Sequence, residues 1–364
     1  MNIRIRRLPQ NRILHRSVTW LVSLLVVGCW TALSPRPAGA EPDHSSAVVF
    51  IYHRFGEERY PTTNVRLDQF EAHIAELKSG GYNFLPLSEI VNAIRNSQPL
   101  PDRTIAITVD DAYESAYTEA WPRLKAAGIP MTLFVATDPV DGRSATYMSW
   151  DQIRDLMEDG VEIAHHGASH HHMVGVGLAA SLADIERASL RFQEELGFVP
   201  DIFAYPYGEY SMEIRNALED SGFAAAFAQY SSVARVGSDA FTLPRFPVNE
   251  RYGEIERFRL IANARSLPVA NIIPDDPVVV PDNNPPAYGF SLTETVTGLA
   301  ALACYPSHMD RAARIEILAG RRVEIRFNKP FPEGRHRINC TLPGPDRRWY
   351  WFGKFFYAPP ATAE

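Results

Sequence analysis

Cysteine is scarce in this sequence, which has only three in 364 residues: Cys29, Cys304 and Cys340. A chain of this length with so few cysteines is not a disulfide-dense miniprotein. Cys304 and Cys340 also lack neighbouring cysteines, so we exclude a structural zinc site there. In an oxidising compartment these two would form an even set, and we expect a disulfide between them; the alternative is a pair of buried thiols.

Clusters of lysine and arginine are absent beyond residue 40. The first 40 residues contain six arginines and no acidic residue, so the rest of the chain has 30 basic and 43 acidic side chains, a formal charge of −13. Phosphate neutralisation needs clustered positive charge, and we therefore exclude nucleic acid as a partner. A neutral polymer is compatible with this composition.

Residues 1–40 have the pattern of an export signal. A basic start through Arg16 is followed by an apolar stretch from Val18 to Trp30 and then by Ala38-Gly39-Ala40. This order predicts a signal peptide cleaved after Ala40 and an exported protein, periplasmic or extracellular. One alternative is an uncleaved anchor, although the apolar stretch is short for a membrane span. The other is lipidation of Cys29, which ends a Val-Val-Gly-Cys sequence; membrane contact is expected only in these two cases.

Between about Ala47 and Ala264, short apolar runs alternate with helical patterns. Roughly seven strand-helix units are present, which is typical of a parallel sheet covered by helices. We therefore expect an α/β fold, a distorted (β/α) barrel over residues 41–266, with the chemistry at the carboxyl ends of its strands. Ser181 and Asp184 are predicted to form a capping box that opens the helix ending before Gly197.

The C-terminal part of the chain has a different pattern. Six prolines lie between Leu267 and Pro286, which predicts a linker or surface strap over residues 267–286. Alternating apolar residues from Ile315 to Phe327 and the aromatic segment from Trp349 to Tyr357 predict a small β-sandwich over residues 287–364.

Two adjacent acids, Asp110 and Asp111, follow the apolar run that begins at Thr104. Adjacent residues of an extended strand point to opposite faces, so such a pair is often a cap or a turn. At a strand end that turns into a loop, both carboxylates can face one site, one as a metal ligand and one as a base.

Five histidines lie within the eight residues from His165 to His172. His166 and His170 could bind one ion if the segment turns helically, with an aspartate from another strand end completing the ligand set. His165, His171 and His172 are expected to support these ligands or to be solvated. The alternative is a surface histidine run that binds metal adventitiously.

These two segments and Pro206-Tyr207-Gly208 resemble the polysaccharide deacetylases of carbohydrate esterase family four. The family's first motif, T-F-D-D-G, corresponds to Thr108 to Ala112, its second, H-T/G-x-S-H, to His166 to His170, and its third ends in P-Y-G. The resemblance covers about Ala47 to Arg251. It implies a metal-dependent N-deacetylase whose partner is an N-acetylated polysaccharide or oligosaccharide.

The resemblance also implies roles for individual residues. Asp110 would be the catalytic base, and Asp111, His166 and His170 would hold a divalent metal. Zinc is the usual metal in this family, and cobalt or nickel also suits these ligands. The backbone N–H of Tyr207 would stabilise the oxyanion.

The general acid of many relatives is a histidine near the end of the domain, and no matching segment follows Gly208. Tyr52-His53-Arg54-Phe55 instead resembles the circularly permuted subgroup that includes poly-N-acetylglucosamine deacetylases. We therefore predict that His53 is the acid; the alternative is a histidine that caps a strand. Residues predicted to contact the sugar are Tyr113, Tyr205, Pro206 and Gly208, with core packing as the alternative for the aromatic ones.

Two positions depart from the family pattern. Ala112 replaces the usual glycine, which matters only if that residue needs a positive φ. Ala204 stands where most relatives have an arginine that pairs with the base. Arg245 is predicted to supply this charge from the next strand end, although an ordinary surface ion pair would also account for it.

The sequence raises two alternatives to the deacetylase. The missing arginine at Ala204 supports a carbohydrate-binding or export-assisting protein with little or no turnover on the same fold. A glycosidase that uses Asp110 and Asp111 is excluded, because side chains of adjacent residues do not flank one glycosidic bond.

Overall fold

The computed structural model describes residues 41–360. The predicted export signal, with Cys29, lies outside these residues. Within the described range, no helix has the length and apolar character needed to cross a membrane.

A curled, mostly parallel sheet forms the larger part of the fold. The first eleven strands are β1 (Ser46–Tyr52), β2 (Arg54–Phe55), β3 (Asn64–Val65), β4 (Asn83–Phe84), β5 (Thr104–Asp110), β6 (Met131–Val135), β7 (Glu162–His165), β8 (Ile202–Ala204), β9 (Ala225–Phe227), β10 (Ala234–Arg235) and β11 (Phe246–Pro247). All except β2 and β3 belong to one sheet of order β10-β1-β5-β6-β7-β8-β9, with β4 beside β5 and β11 beside β1. Every residue of β1 and β5 is buried, which explains why both strands are mostly apolar.

Helices cover this sheet. They are α1 (Leu67–Ser79), α2 (Leu87–Arg95), α3 (Trp121–Ala127), α4 (Thr137–Asp141), α5 (Trp150–Glu158), α6 (Met173–Val176), α7 (Leu178–Leu196), α8 (Met212–Asp220) and α9 (Ile255–Ala262). Ser149 caps α5 by accepting a hydrogen bond from the Gln152 backbone N–H, as a capping box requires. The capping box predicted for Ser181 and Asp184 is wrong, because α7 already begins at Leu178 and both residues lie inside it.

The C-terminal part consists of two sheets packed face to face. Its strands are β12 (Arg265–Ser266), β13 (Val269–Ile273), β14 (Tyr288–Leu292), β15 (Ala303–Pro306), β16 (Arg314–Leu318), β17 (Arg322–Arg326), β18 (Gly334–Pro343) and β19 (Trp349–Ala358). Their orders are β12-β19-β18-β15 and β13-β14-β17-β16, and apolar side chains of both sheets share one cluster. The predicted α/β fold, a distorted (β/α) barrel followed by a small C-terminal β-sandwich, is confirmed, with the parallel sheet curled into a half barrel.

Cys304 of β15 and Cys340 of β18 are paired in register and joined by a disulfide, as predicted. The span 267–286, predicted as a linker, contains the strand β13, which pairs with β14. The exact domain boundaries stay a prediction.

Strand β19 packs directly on the half barrel. The ring of Trp351 meets that of Phe246 at 5.3 Å, and Phe355 lies 5.9 Å from Tyr210. Gly353 allows the closest approach, since a Cβ there would lie 2.1 Å from the Ser231 carbonyl oxygen. The C-terminal sheet therefore contacts the loop that follows β9.

Candidate active site

Asp110 and Asp111 face one site because the chain turns sharply at the end of β5. The next two residues after Asp110 are Asp111, with φ of 74°, and Ala112, with φ of 54°. Residues that bear a side chain rarely occupy this region. His166 Nε2 lies 3.8 Å from Asp110 Oδ2 and 3.5 Å from Asp111 Oδ1, which shows this convergence. Ala112 thus replaces glycine at a position of positive φ, at a cost of about 1 kcal/mol.

Asp111, His166 and His170 form a compact group of donors. Nε2 of His170 lies 3.3 Å from Asp111 Oδ1, and one donor atom from each residue lies within 4.8 Å of the others. Two imidazoles and one carboxylate are a ligand set for a divalent transition metal that leaves positions open for water and substrate. The segment between the histidines is an irregular bend, so their convergence does not need the helical turn that was its condition in the sequence.

His166 is oriented by the strand beside it. Its Nδ1–H donates to the Ala204 carbonyl at 2.7 Å, which leaves Nε2 facing Asp111. Burial is the main cause that lowers the pKa of His166 to about 3, so the ring is neutral near pH 7. A neutral ring fixed through its second nitrogen is the usual form of a histidine ligand.

The histidine loop is anchored by Asp184 of α7. Its carboxylate accepts the backbone N–H groups of Ala168 and Ser169 at 2.8 and 3.1 Å, and the Ser169 hydroxyl at 2.7 Å. Arg187 also donates to it at 2.8 Å. The carboxylate therefore holds the loop between the two histidines, a function that the sequence pattern did not reveal.

Arg245 lies against Asp110, as predicted. Its two terminal nitrogens donate to Asp110 Oδ1 and Oδ2 at 2.6 and 2.8 Å, and its Nε donates to the Ala228 carbonyl at 3.2 Å. Both side chains are almost fully buried. Burial alone would raise the pKa of Asp110, but the charge of Arg245 and its two hydrogen bonds lower this pKa below its ordinary value.

A tight turn over Pro206–Gly208 follows β8. Tyr207 has φ of 59°, and its ring stacks on His172 at 3.8 Å. Gly208 has φ of 72°, and a Cβ there would lie 2.3 Å from the Gln229 backbone nitrogen. The turn therefore requires glycine at this position, both for its conformation and for space.

These groups line a cavity of about 590 Å³ at the carboxyl ends of the strands. His53, half-buried after β1, also lines it. Tyr113 lines it too, stacked on Tyr147 at 4.9 Å with the Arg54 guanidinium 3.5 Å from its ring centre. The cavity thus brings together His53, Asp110, Asp111, Tyr113, His166, His170, Tyr207 and Gly208 of the predicted residues, with Arg245 buried behind Asp110.

Two predicted sugar contacts are not supported. The Tyr205 side chain is fully buried, and its hydroxyl donates to the Phe241 carbonyl at 2.9 Å. Pro206 is buried too and does not line the cavity. Tyr205 continues the β8 ladder, with its N–H bonded to the Phe227 carbonyl, so its side chain points into the core.

Other histidines of the run have structural contacts. His165 is buried and lies 5.0 Å from the Phe192 ring. The Nδ1–H of His172 donates to Glu209 at 2.8 Å. Arg335 and Arg337 of β18 line the cavity as well, and no local pattern connects them with the motifs far upstream.

Comparison with known proteins identifies the class of this fold and site. The family model described as polysaccharide deacetylase matches residues 97–226. The solved structure of IcaB from Ammonifex degensii is 26% identical, with a TM-score of 0.54 over 61% of this chain and 99% of that one. Residues 97–226 therefore belong to a polysaccharide deacetylase domain, which confirms the predicted family for this part of the chain and the predicted enzyme class, a hydrolase. The circularly permuted subgroup stays a prediction.

Two curated relatives have informative names. The putative polysaccharide deacetylase YxkH of Bacillus subtilis is 22% identical over 201 residues, 55% of this chain and 71% of the relative. The poly-β-1,6-N-acetyl-D-glucosamine N-deacetylase of Escherichia coli K12 is 24% identical over 248 residues, 56% of this chain but only 36% of the relative. The match therefore spans about a third of the Escherichia coli protein.

Proposed function

We propose that this protein is an exported, metal-dependent N-deacetylase that removes acetyl groups from N-acetylated amino sugars of a polysaccharide. The observation that carries the proposal is the convergence of the Asp111, His166 and His170 donors with the Arg245-paired carboxylate of Asp110 in one cavity. The names of the relatives make poly-β-1,6-N-acetylglucosamine the first substrate to test.

The donor set fits a divalent metal. His166 is neutral and directed by Ala204, and the loop that bears His170 is fixed by Asp184. A cation held by Asp111, His166 and His170 would polarise the acetyl carbonyl and the attacking water. Zinc suits these ligands, and cobalt or nickel would also be accepted.

The residues around the metal ligands supply the base, the acid and the oxyanion donor of the reaction. Asp110 takes the proton of the attacking water, and Arg245 keeps the carboxylate ionised and correctly directed. The Tyr207 backbone N–H donates to the developing oxyanion. His53 donates a proton to the amine as the C–N bond breaks, so that acetate and a free amino sugar leave.

The proposal that the protein only binds carbohydrate loses its main support. That interpretation depended on the arginine missing at Ala204, and Arg245 supplies a bidentate partner to Asp110 in its place. Export stays a proposal because it is inferred from residues 1–40, which lie outside the described residues. The disulfide between Cys304 and Cys340 is consistent with an oxidising compartment.

The proposal is tested by acetate release from β-1,6-linked N-acetylglucosamine oligomers. The purified protein is stripped with a chelator, reloaded with zinc or cobalt, and assayed with chitin-type oligomers and peptidoglycan fragments in parallel. We expect release that requires metal and is lost in Asp111→Ala together with metal binding. Full metal loading without release from any of these substrates would contradict the proposal.

A further inference from the structure

We propose that the C-terminal sheet is part of the deacetylase site, with Arg335 as a positioning residue that holds the Tyr207 turn. The inference rests on the proposed function, since it assigns Arg335 an action on the turn whose N–H is to meet the oxyanion. The family model ends at residue 226, so Arg335 lies outside the part of the chain that it describes.

Arg335 reaches the turn from strand β18. Its Nη1 donates to the Tyr207 carbonyl oxygen at 3.0 Å, and its guanidinium carbon lies 5.5 Å from the centre of the Tyr207 ring. The same guanidinium places Nε 3.5 Å from Glu209 Oε1. One side chain therefore contacts both ends of a short segment that contains the left-handed residue Tyr207.

The carboxylate of Glu209 connects Arg335 with His172. Glu209 is 1% exposed, and its other oxygen accepts the Nδ1–H of His172 at 2.8 Å. The His172 ring is in turn stacked on Tyr207 with an angle of 6° between the ring planes. Tyr207 is thus held on its ring face by His172 and at its carbonyl by Arg335, and Glu209 links these two side chains.

Such support is needed because the turn is strained. Tyr207 has φ of 59° and Gly208 has φ of 72°, and a non-glycine residue in that region costs free energy that neighbouring contacts must offset. The direction of the Tyr207 N–H depends on this conformation. A displaced donor stabilises the oxyanion less, and loss of a donor in comparable sites costs about a hundredfold or more in rate.

The strand that carries Arg335 is itself fixed to the half barrel. Arg337, two residues on and on the same face, donates through Nε to the Gln229 carbonyl at 3.3 Å. The neighbouring strand β19 contacts the same loop, where the Gly353 N–H donates to Ser232 Oγ at 2.9 Å. Arg335 therefore extends from a sheet that is hydrogen-bonded to the loop after β9.

The test compares Arg335→Gln, Arg335→Lys and the control Arg314→Gln in the purified protein. Arg314 lies on β16, is 78% exposed and pairs with Glu316. We expect Arg335→Gln to lower kcat about tenfold with KM and metal affinity unchanged, Arg335→Lys to retain an intermediate kcat, and the control to match the wild type. Hydrogen exchange of residues 205–209 should become faster in Arg335→Gln, less so in Arg335→Lys, and should not change in the control.

Failure of the inference and failure of the proposed function give different results. A wild-type protein that releases no acetate contradicts the function, and the exchange of residues 205–209 still decides whether Arg335 holds the turn. Unchanged kcat and unchanged exchange in Arg335→Gln would overturn the inference. A raised KM with unchanged kcat would also overturn it, because Arg335 would then contact substrate directly.

Discussion

The guanidinium of Arg245 binds both carboxylate oxygens of Asp110, although the two residues are 135 positions apart. This pair lets Asp110 remain ionised while almost fully buried. Because a buried carboxylate without a partner is strongly destabilised, the pair links the stability of the fold to the chemistry of the site.

Substitution of Arg245 tests this link. In Arg245→Met, we expect the pKa of Asp110 to rise, because the cation that lowers it is removed while burial remains. A base must be deprotonated, so the acidic limb of the pH–rate profile should move to higher pH. The free energy of unfolding should fall by about 3 to 5 kcal/mol; denaturant titration and a pH–rate profile measure the two effects. A profile that does not move would show that Arg245 does not tune the base.

Gly208 offers a test of the turn with a matched control. Gly208→Ala places a Cβ 2.3 Å from the Gln229 nitrogen, whereas Gly222, also at positive φ, has open space around the added atom. Both substitutions should cost about 1 kcal/mol from backbone strain. Only Gly208→Ala should displace the turn further and lower acetate release by more than tenfold. Equal activities of the two variants would contradict the account.

Asp184 is predicted to control metal affinity without being a ligand. Asp184→Asn retains the size of the side chain but presents an amide N–H to backbone N–H groups, so the loop between His166 and His170 loses acceptors. Removal of such supporting contacts commonly weakens metal binding about 10- to 100-fold. Zinc titration against a competing chelator measures this, with the exposed Glu194→Gln on the same helix as control. The same affinity in both variants would rule out the anchoring function.

His73 makes the fold sensitive to acid. The ring is fully buried, its Nε2–H donates to the Gly253 carbonyl at 2.6 Å, and burial lowers its pKa from 6.5 to about 4. The unfolded chain therefore takes up this proton at higher pH than the folded one, so the contribution to stability is present above pH 6.5 and is lost as the pH falls toward 4. The linked free energy is about 3 kcal/mol.

The His73→Gln variant separates this histidine from the others. Urea unfolding at pH 7, 5.5 and 4.5 should show a smaller decrease of stability in the variant than in the wild type. Identical decreases would mean that His73 does not contribute to the acid sensitivity.

Much of the half barrel could be predicted because its information is local. The buried strands β1 and β5 are mostly apolar, Asp110 and Asp111 lie at the end of β5, and the segment from His166 to His170 directly follows β7. Parallel strands bring their carboxyl ends to one edge, so segments far apart in sequence were expected to meet. Arg245 was predicted from the family resemblance and not from a strand end, since it directly precedes β11.

The rest depends on contacts that no local pattern encodes. Asp184 fitted the spacing of a capping box. In the structure, α7 begins at Leu178, so Asp184 lies inside the helix, and its carboxylate faces the histidine loop. One signal was available: Asp184 lies on the buried face of α7, beside Ile185. Arg335 is 128 residues from Tyr207, and the strand pairing that directs it depends on the packing of two sheets.

The most direct test of the account is acetate release by Asp110→Asn beside the wild type, with the metal content of both samples measured. Asparagine preserves the shape of the side chain but cannot take a proton from water. We predict full metal occupancy and a rate at least 100-fold lower in the variant, the effect expected for a general base. Metal-loaded Asp110→Asn with the wild-type rate would contradict the assignment of the base and with it the proposed mechanism.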